Sequence, residues 1–344
     1  MSNASKLILI TGGTGFIGNH TVSQFLSKGY RVRATARNQD ACNSLLSVHS
    51  GHRDLLETQV VADITRPGAF DTAVKDVDGI VHMASPFTDK ITDNERDLIL
   101  PAINGTKEIL QSTVSFAPKV KRVVLTSSFA AIADFSKGLR PGHVYEESQW
   151  SPLTYQATKD DKIGLAYAGS KKLAEEAAWQ FVETSPGVNF SLATVNPTMV
   201  YGPAFPGSTS IKNLGQSMSD IYALMDASLT EVPPTLLPSF VDVRDVARAH
   251  LLAFETDQPQ RFLLSAGDFD KQNVCDLLRD QIPELKSRVP VGNPGKPSVG
   301  EHYEIDCSRV RSVLGIEFQS FNETLLDMVR AFMEMENAEK ESSL

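Results

Sequence analysis

The segment Thr11-Gly12-Gly13-Thr14-Gly15-Phe16-Ile17-Gly18 constrains this chain more than any other feature. It follows the apolar run Leu7-Ile8-Leu9-Ile10 and leads into a stretch with helical spacing. Two glycine spacings overlap in it, G-x-x-G-x-x-G on Gly12, Gly15 and Gly18 and G-x-G-x-x-G on Gly13, Gly15 and Gly18. Both serve the same physics. The loop turns tightly, its backbone approaches a pyrophosphate, and the helix packs closely on the strand. The helix N-terminus offers free N–H groups and a partial positive charge to the phosphates. A tight turn alone explains a glycine triplet equally well. Its place after the first strand of an alternating chain points to a dinucleotide site, with Gly12, Thr14, Gly15, Phe16 and Ile17 as the contacting positions.

The alternation runs through the first half of the chain. Apolar runs predict strands at 6–11, 31–36, 59–62, 79–84, 120–126 and 188–195. Between them, helices are expected at 16–28, 40–48 and 95–116, the last kinked at Pro101. Another is expected at 164–183, where Leu173, Ala174, Ala177, Ala178, Phe181 and Val182 recur at helical spacing. Strand and helix in alternation imply an α/β fold, a doubly wound parallel sheet of the Rossmann type. After Pro197 the pattern changes. Residues 202–210, 232–238 and 286–300 read as loops, 240–255 resumes strand then helix, and the polar last residues fray. At roughly 150 residues per domain, 344 residues suggest about two. The expected division is a cofactor-binding core of 5–198 and 239–266 with a smaller C-terminal substrate lobe of 199–238 and 267–335.

Composition excludes several classes. The chain is 41% hydrophobic and 22% charged, so wholesale disorder does not fit. A formal charge of −9 without a basic stripe argues against a nucleic-acid partner. Lys119, Lys121 and Arg122 read as a solvated strand entrance. Cys42, Cys275 and Cys307 are too few and too far apart for a disulfide framework or a zinc site, which fits reduced cytoplasmic thiols. No apolar run approaches the ~20 residues that span a bilayer, so no membrane association is expected. His49 and His52 have no neighbouring ligand cluster, and no metal is expected. His82, ending an apolar strand, reads as a satisfied core histidine.

The end of the second strand bears on which dinucleotide binds. An NAD site usually has Asp or Glu there to hold the ribose 2′-hydroxyl. Here the chain reads Arg33-Ala34-Thr35-Ala36-Arg37-Asn38, and Arg37 is placed to pair with a 2′-phosphate. That favours NADPH/NADP+. Asp63-Ile64, closing the third strand, is expected beside the adenine. Further on, Tyr167 and Lys171 stand at i and i+4 near a helix start and share one face. An ammonium one turn from a phenol favours the phenolate and brings proton transfer within reach. Ser127-Ser128 closes the fifth strand at the carboxyl edge, where doubly wound sheets bind ligands, and a hydroxyl there can hydrogen-bond a substrate carbonyl.

With these pieces in place the chain resembles an extended short-chain dehydrogenase/reductase. The matching segments are T-G-G-T-G-F-I-G at 11–18, D-I at 63–64, H-M-A-S-P at 82–86 and L-T-S-S at 125–128. Y-x-x-x-K at 167–171, N-P-T-M-V-Y-G-P at 196–203 and V-D-V-R-D-V-A at 241–247 complete them. Within that superfamily it is most similar to fungal NADPH-dependent aldehyde and ketone reductases, including methylglyoxal reductases, and to plant dihydroflavonol reductases. Ala34–Arg37, the run Gly169-Ser170-Lys171-Lys172-Leu173-Ala174-Glu175 and the stretch Asp306 to Gly315 carry the narrower likeness. The resemblance covers nearly the whole chain.

The resemblance implies roles. Tyr167 would be the general acid, Lys171 its electrostatic modulator and ribose anchor, and Ser128 the carbonyl-orienting hydroxyl, while the doublet leaves the register open by one and Ser127 as the alternative. Asn104 matches, weakly, a proton-relay position of simpler members. Ala84, Ser85 and Pro86 would line the cofactor channel, and Pro197 and Val200 would border the nicotinamide. Phe87, Phe129 and Tyr201 would wall a substrate pocket or pack in the core. The reaction implied is NADPH-dependent reduction of an aldehyde or ketone, a small-molecule carbonyl substrate, by a monomer or homodimer. The rivals are a nucleotide-sugar epimerase or dehydratase, for which an acid in place of Arg37 is expected, and a non-catalytic dinucleotide sensor, which would lack the Tyr–Lys pair.

Overall fold

A computed structural model describes residues 6–85 and 91–342. Pro86 and Phe87, expected at the cofactor channel and substrate pocket, lie outside the described residues. Seven strands form the main sheet: β1 Leu7–Thr11, β2 Arg31–Ala36, β3 Leu56–Val60, β4 Gly79–His82, β5 Arg122–Thr126, β6 Ser191–Pro197 and β7 Arg261–Leu264. Their order is β3-β2-β1-β4-β5-β6-β7, and every pair is parallel. This is the doubly wound fold expected from the alternation. The order reverses between β1 and β4, so a crevice opens at their carboxyl ends.

Helices cover both faces. The principal ones are α1 Phe16–Ser27, α2 Gln39–Val48, α3 Leu100–Phe116, α4 Ala166–Thr184, α5 Val243–Glu255, α6 Lys271–Gln281 and α7 Phe321–Ser342. Successive side chains of a strand point to opposite faces, and the two cores divide accordingly. Ile8, Ile10, Val81 and Val124 pack with Val22 and Phe25 of α1, Leu45 of α2 and Val246 of α5. Leu7, Leu9, Ile80, Val123 and Leu125 pack with Ile109 of α3 and Ala178 of α4. Because both faces of β1 and β4 are covered, these strands are buried throughout, which is why their sequences read as unbroken apolar runs.

The strand boundaries differ where hydrophobicity is a poor guide. β3 begins at Leu56, ahead of the expected 59–62, with Val32 opposite Leu56 and Ala36 opposite Val60. It is an edge strand, and its Glu57, Thr58 and Gln59 are half-buried polar residues. β4 stops at His82 because Met83 and Ala84 donate their N–H groups to Thr11 Oγ1, each at 3.0 Å, instead of to a neighbouring strand. β6 runs to Pro197, where it pairs with Leu264 of β7, a strand not anticipated. Ahead of α3, residues Glu95–Ile99 form a π turn in which Leu100 donates to Glu95 O. Pro101 then sits in the first turn of α3, directly after the π turn.

After Pro197 a second core forms. Met199–Tyr201 pairs in parallel with Ser239–Asp242, which pairs antiparallel with Gly267–Asp268. Tyr201, Met218, Phe240, Phe269, Leu278, Met328 and Phe332 pack together around them. Cys307, Val310, Leu314 and Ile316, grouped by sequence with the lobe, share the cluster that packs under α1 and α5. No helix among the described residues is long and apolar enough to cross a membrane.

Candidate active site

The glycine loop takes its shape from two positions. Gly12 has φ +70°, and a Cβ there would stand 2.9 Å from Ala84 N, so strand β4 passes directly against the loop. A Cβ on Gly18 would stand 2.1 Å from Gly12 O, so the first turn of α1 is pressed onto the turn that precedes it. Gly15 N donates to Gly12 O at 3.1 Å, and Asn19 Nδ2 donates to Thr14 O and Gly15 O at 3.1 and 3.2 Å. The N-cap residue Gly15 supplies no side-chain hydrogen bond, and the first turn of α1 holds no acidic residue. The N-terminal N–H groups of α1 therefore face no competing anion from their own turn. Backbone shaped so closely that a methyl group would fill it fits a pyrophosphate.

At the end of β2 the two arginines differ. Arg33 is committed: it donates to Glu57 Oε1 at 2.6 Å and to the carbonyls of Ala73 and Lys75 at 2.9 and 2.6 Å. Arg37 is exposed and makes no hydrogen bond or ion pair among the described residues. Its five N–H donors are free for a phosphate. Asp63 is also exposed. Its carboxylate accepts from Thr65 Oγ1 at 2.7 Å and Thr65 N at 2.9 Å, bonds that hold it below the usual carboxylate range. Ile64 turns inward and lines a polar cavity with Ala84, Ser85, Thr106, Ser127 and Lys171.

Helix α4 carries the Tyr–Lys pair. Its entry is fixed by Asp161, whose Oδ2 accepts from Gly164 N at 3.1 Å and Ala166 N at 2.8 Å. Asn94 Nδ2 ties that loop to the π turn by donating to the carbonyls of Thr158, Lys159 and Asp161. Tyr167 is 42% exposed, open to a substrate. The Lys171 ammonium lies 5.8 Å from the Tyr167 ring centroid and donates to Ser85 Oγ at 3.2 Å. It thus links the phenol to the segment that follows β4. His82 lies beneath it. Burial, then the Lys171 charge, push this imidazole down to about 3, so it is neutral. Thr11 Oγ1 accepts from two backbone N–H groups and gives its own proton to His82 Nδ1 at 2.8 Å.

The serine doublet separates by partner. Ser127 is buried and donates its hydroxyl proton to Glu175 Oε2 at 2.5 Å. Ser128 is partly exposed, and its Oγ accepts from Ala130 N at 3.1 Å while capping the short helix Phe129–Ala131. Its proton is taken by no described residue. Asn104 is exposed on α3, whereas its neighbour Thr106 lines the cavity. Pro197 is buried at the end of β6, and Val200 is half-buried. Phe129 packs edge-on against Phe135 and Tyr145 and tilted against Tyr303, inside an aromatic cluster. Tyr201 stacks on Phe269 with centroids 4.6 Å apart and donates to Asp220 at 3.4 Å. Both are core side chains. Burial raises the Tyr201 phenol above its usual range.

Sequence reasoning missed the group that holds this edge together. Glu175, one turn beyond Lys171, has a fully buried side chain paired with Arg261 Nε at 2.7 Å. The available signal was a carboxylate continuing the i, i+4 series of Tyr167 and Lys171 on an alanine-lined helix. Arg261 also donates to the carbonyls of Glu147 and Gln149 at 2.6 and 2.5 Å and lies 3.8 Å from the Trp150 ring centroid.

A doubly wound parallel sheet, a glycine loop at its switch point and a Tyr–Lys pair one helical turn apart define a dinucleotide-dependent oxidoreductase of the extended short-chain type. The profile of the NAD dependent epimerase/dehydratase family matches residues 8–264, and this chain belongs to that family. It is 37% identical over 339 residues to the NADPH-dependent methylglyoxal reductase GRE2 of Saccharomyces cerevisiae, covering 96% of this chain and 98% of that protein. It is also 37% identical over 344 residues to the ketoreductase azaE of Aspergillus niger, covering 97% and 99% of the two chains. The crystal structure of yeast methylglyoxal/isovaleraldehyde reductase Gre2 complexed with NADPH superposes with a TM-score of 0.88 at 36% identity, covering 96% of this chain and 99% of that one.

Proposed function

We propose that this protein reduces an aldehyde or ketone to the alcohol with NADPH, and that Tyr167 is the proton donor. The observation that carries the reading is the placement of Lys171. Its ammonium stands 5.8 Å from the Tyr167 ring centroid and bonds Ser85, beside the strand end that bears Ser128. The full-length likeness to NADPH-dependent reductases supports it. Gly12, Thr14, Gly15, Phe16 and Ile17 hold the pyrophosphate, Arg37 the 2′-phosphate, and Asp63 and Ile64 flank the adenine. Ala84 and Ser85 line the cofactor channel, and Pro197 and Val200 border the nicotinamide. The cofactor core comprises 5–198 and 239–266, and the substrate enters beside the lobe of 199–238 and 267–335.

Bound there, NADPH supplies the hydride. The protein supplies the proton and the geometry. Ser128 donates its free hydroxyl hydrogen to the substrate carbonyl oxygen and orients it. Tyr167 gives its phenolic proton to the same oxygen as negative charge develops on it. Lys171 stabilises the phenolate left behind. Hydride at carbon and proton at oxygen complete the alcohol.

The test is a steady-state panel of methylglyoxal, branched aldehydes, β-keto esters and flavonoid ketones with NADPH and with NADH. Turnover with NADPH in the wild type and its collapse in Tyr167→Phe are expected. A Tyr167→Phe variant with near-normal turnover would overturn the proton-donor assignment. Tightly bound NAD in the purified protein would instead favour an epimerase or dehydratase.

A further inference from the structure

We propose that Glu175 is a positioning residue of this active site: its buried carboxylate fixes the Ser127–Ser128 strand end relative to the helix that carries Tyr167 and Lys171. The proposal rests on the reductase reading above.

Tyr167, Lys171 and Glu175 follow one another at one-turn intervals along α4, so they share a face of that helix. The first two are placed for the reacting groups. The third reaches under the sheet edge, where its side chain is fully buried. Oε2 accepts from Ser127 Oγ at 2.5 Å and Asn196 Nδ2 at 2.7 Å. Oε1 accepts from Arg261 Nε at 2.7 Å, and it lies 2.9 Å from Thr194 Oγ1 and 3.2 Å from Trp179 Nε1. Ser127 directly follows β5, Thr194 and Asn196 lie on β6, and Arg261 opens β7. One carboxylate thus joins the catalytic helix to three adjacent strands.

Helix packing alone does not call for a charge here. Ala174, Ala177 and Ala178 pack beside it without polar side-chain atoms, and the buried Ser170 bonds back to its own helix at Tyr167 O. A buried ion pair is weak evidence for stability, because desolvation offsets much of its attraction. What the carboxylate does provide is direction. It takes the hydroxyl proton of Ser127, so that residue has none left for a substrate. Asn196 uses one amide hydrogen on Glu175 and the other on Ser128 O at 3.2 Å. The Ser128 peptide is thereby held on its carbonyl side by the network and on its side chain by Ala130 N at 3.1 Å. The one hydroxyl of the doublet that keeps a free proton is the one so fixed.

Proton donation tolerates little misplacement, and a shift of about 1 Å can cost a factor on the order of 10². Glu175→Gln leaves Arg261 buried without its carboxylate and can fail to fold. Ser127→Ala removes a single hydroxyl and leaves the ion pair whole, so it is the primary variant. The assay is steady-state reduction of methylglyoxal with NADPH, alongside the other carbonyls of the panel. Ser127→Ala should lower kcat about tenfold or more while KM for NADPH stays within about twofold. Ser127→Thr, which restores the hydroxyl, should recover most of the loss. In a Ser128→Ala background, adding Ser127→Ala should change kcat by less than about twofold, because residues acting as a unit are not additive. Retention of kcat in Ser127→Ala, or losses that multiply in the double variant, would overturn the positioning role. If Tyr167→Phe is inactive and Ser127→Ala is not, only this proposal fails. If the wild type reduces no carbonyl with NADPH, the reductase reading fails and takes this one with it.

Discussion

Arg37 gives the sharpest quantitative test of cofactor choice. Its guanidinium is exposed at the end of β2 and engages no described residue, so Arg37→Ala removes no intramolecular hydrogen bond. The folded protein should keep its thermal midpoint, and the whole effect should fall on binding. A hydrogen bond to a charged group contributes about 1.5–3 kcal/mol. Solvent screening at an exposed site selects the lower end, about 1.5 kcal/mol, which is about a tenfold change in affinity. NADH lacks the 2′-phosphate and has nothing to lose at this position. The assay is kcat/KM for NADPH and for NADH, measured on wild type and variant with one saturating carbonyl. The NADPH-to-NADH ratio should fall about tenfold through KM for NADPH, with kcat at saturation unchanged. The wild-type preference should also weaken between about 0.05 and 0.5 M salt, as the Debye length shortens. A ratio unmoved by Arg37→Ala, or a loss shared equally by both cofactors, would refute the assignment of the 2′-phosphate to this residue.

Other perturbations follow from the same geometry. Tyr167→Phe should lower kcat on the order of 10²–10⁴-fold, the usual range for losing a general acid, with NADPH affinity by fluorescence titration little changed. Gly18→Ala places a methyl 2.1 Å from Gly12 O, a backbone atom that cannot swing aside, so both NADPH affinity and the melting temperature should drop. Acid should destabilise the fold near pH 5. Burial holds His82 down to about 3 and His49 and His250 to about 4, so all three are neutral in the fold but take up protons when unfolded below about pH 6.5. Their stabilisation is complete above that value and is lost as pH falls toward the folded values. Burial raises Asp245 to about 6, and this group works in the opposite direction over the same window. The net slope is about 2 kcal/mol per pH unit near pH 5, measurable by urea unfolding at a series of pH values. A flat profile from pH 6 to 4.5 would show that these histidines are protonated in the fold.

The sequence made legible those parts of the molecule in which one residue type answers to one local demand. Gly12 and Gly18 sit where a Cβ has no room, and Tyr167 and Lys171 sit one helical turn apart, so short-range spacing was enough to find them. The buried strands β1 and β4 announced themselves because both of their faces are covered. The edge strand β3 did not, because all of its residues but Leu56 are at least partly exposed and its register comes from pairing with β2. The same limit hid the Glu175 network. Ser127, Asn196 and Arg261 lie 48, 21 and 86 residues from Glu175 along the chain, and nothing local marks Arg261, which opens a strand, as the partner of a helix carboxylate. The choice between Ser127 and Ser128 belonged to that network too. Adjacent residues of one type in one strand end cannot be told apart by composition or period. They are told apart by which hydroxyl has already given its proton away, and that depends on a side chain two turns along α4 from Tyr167. On the proposed reading, the position of the substrate-orienting hydroxyl is therefore set by long-range pairing, even though the motif that contains it is entirely local.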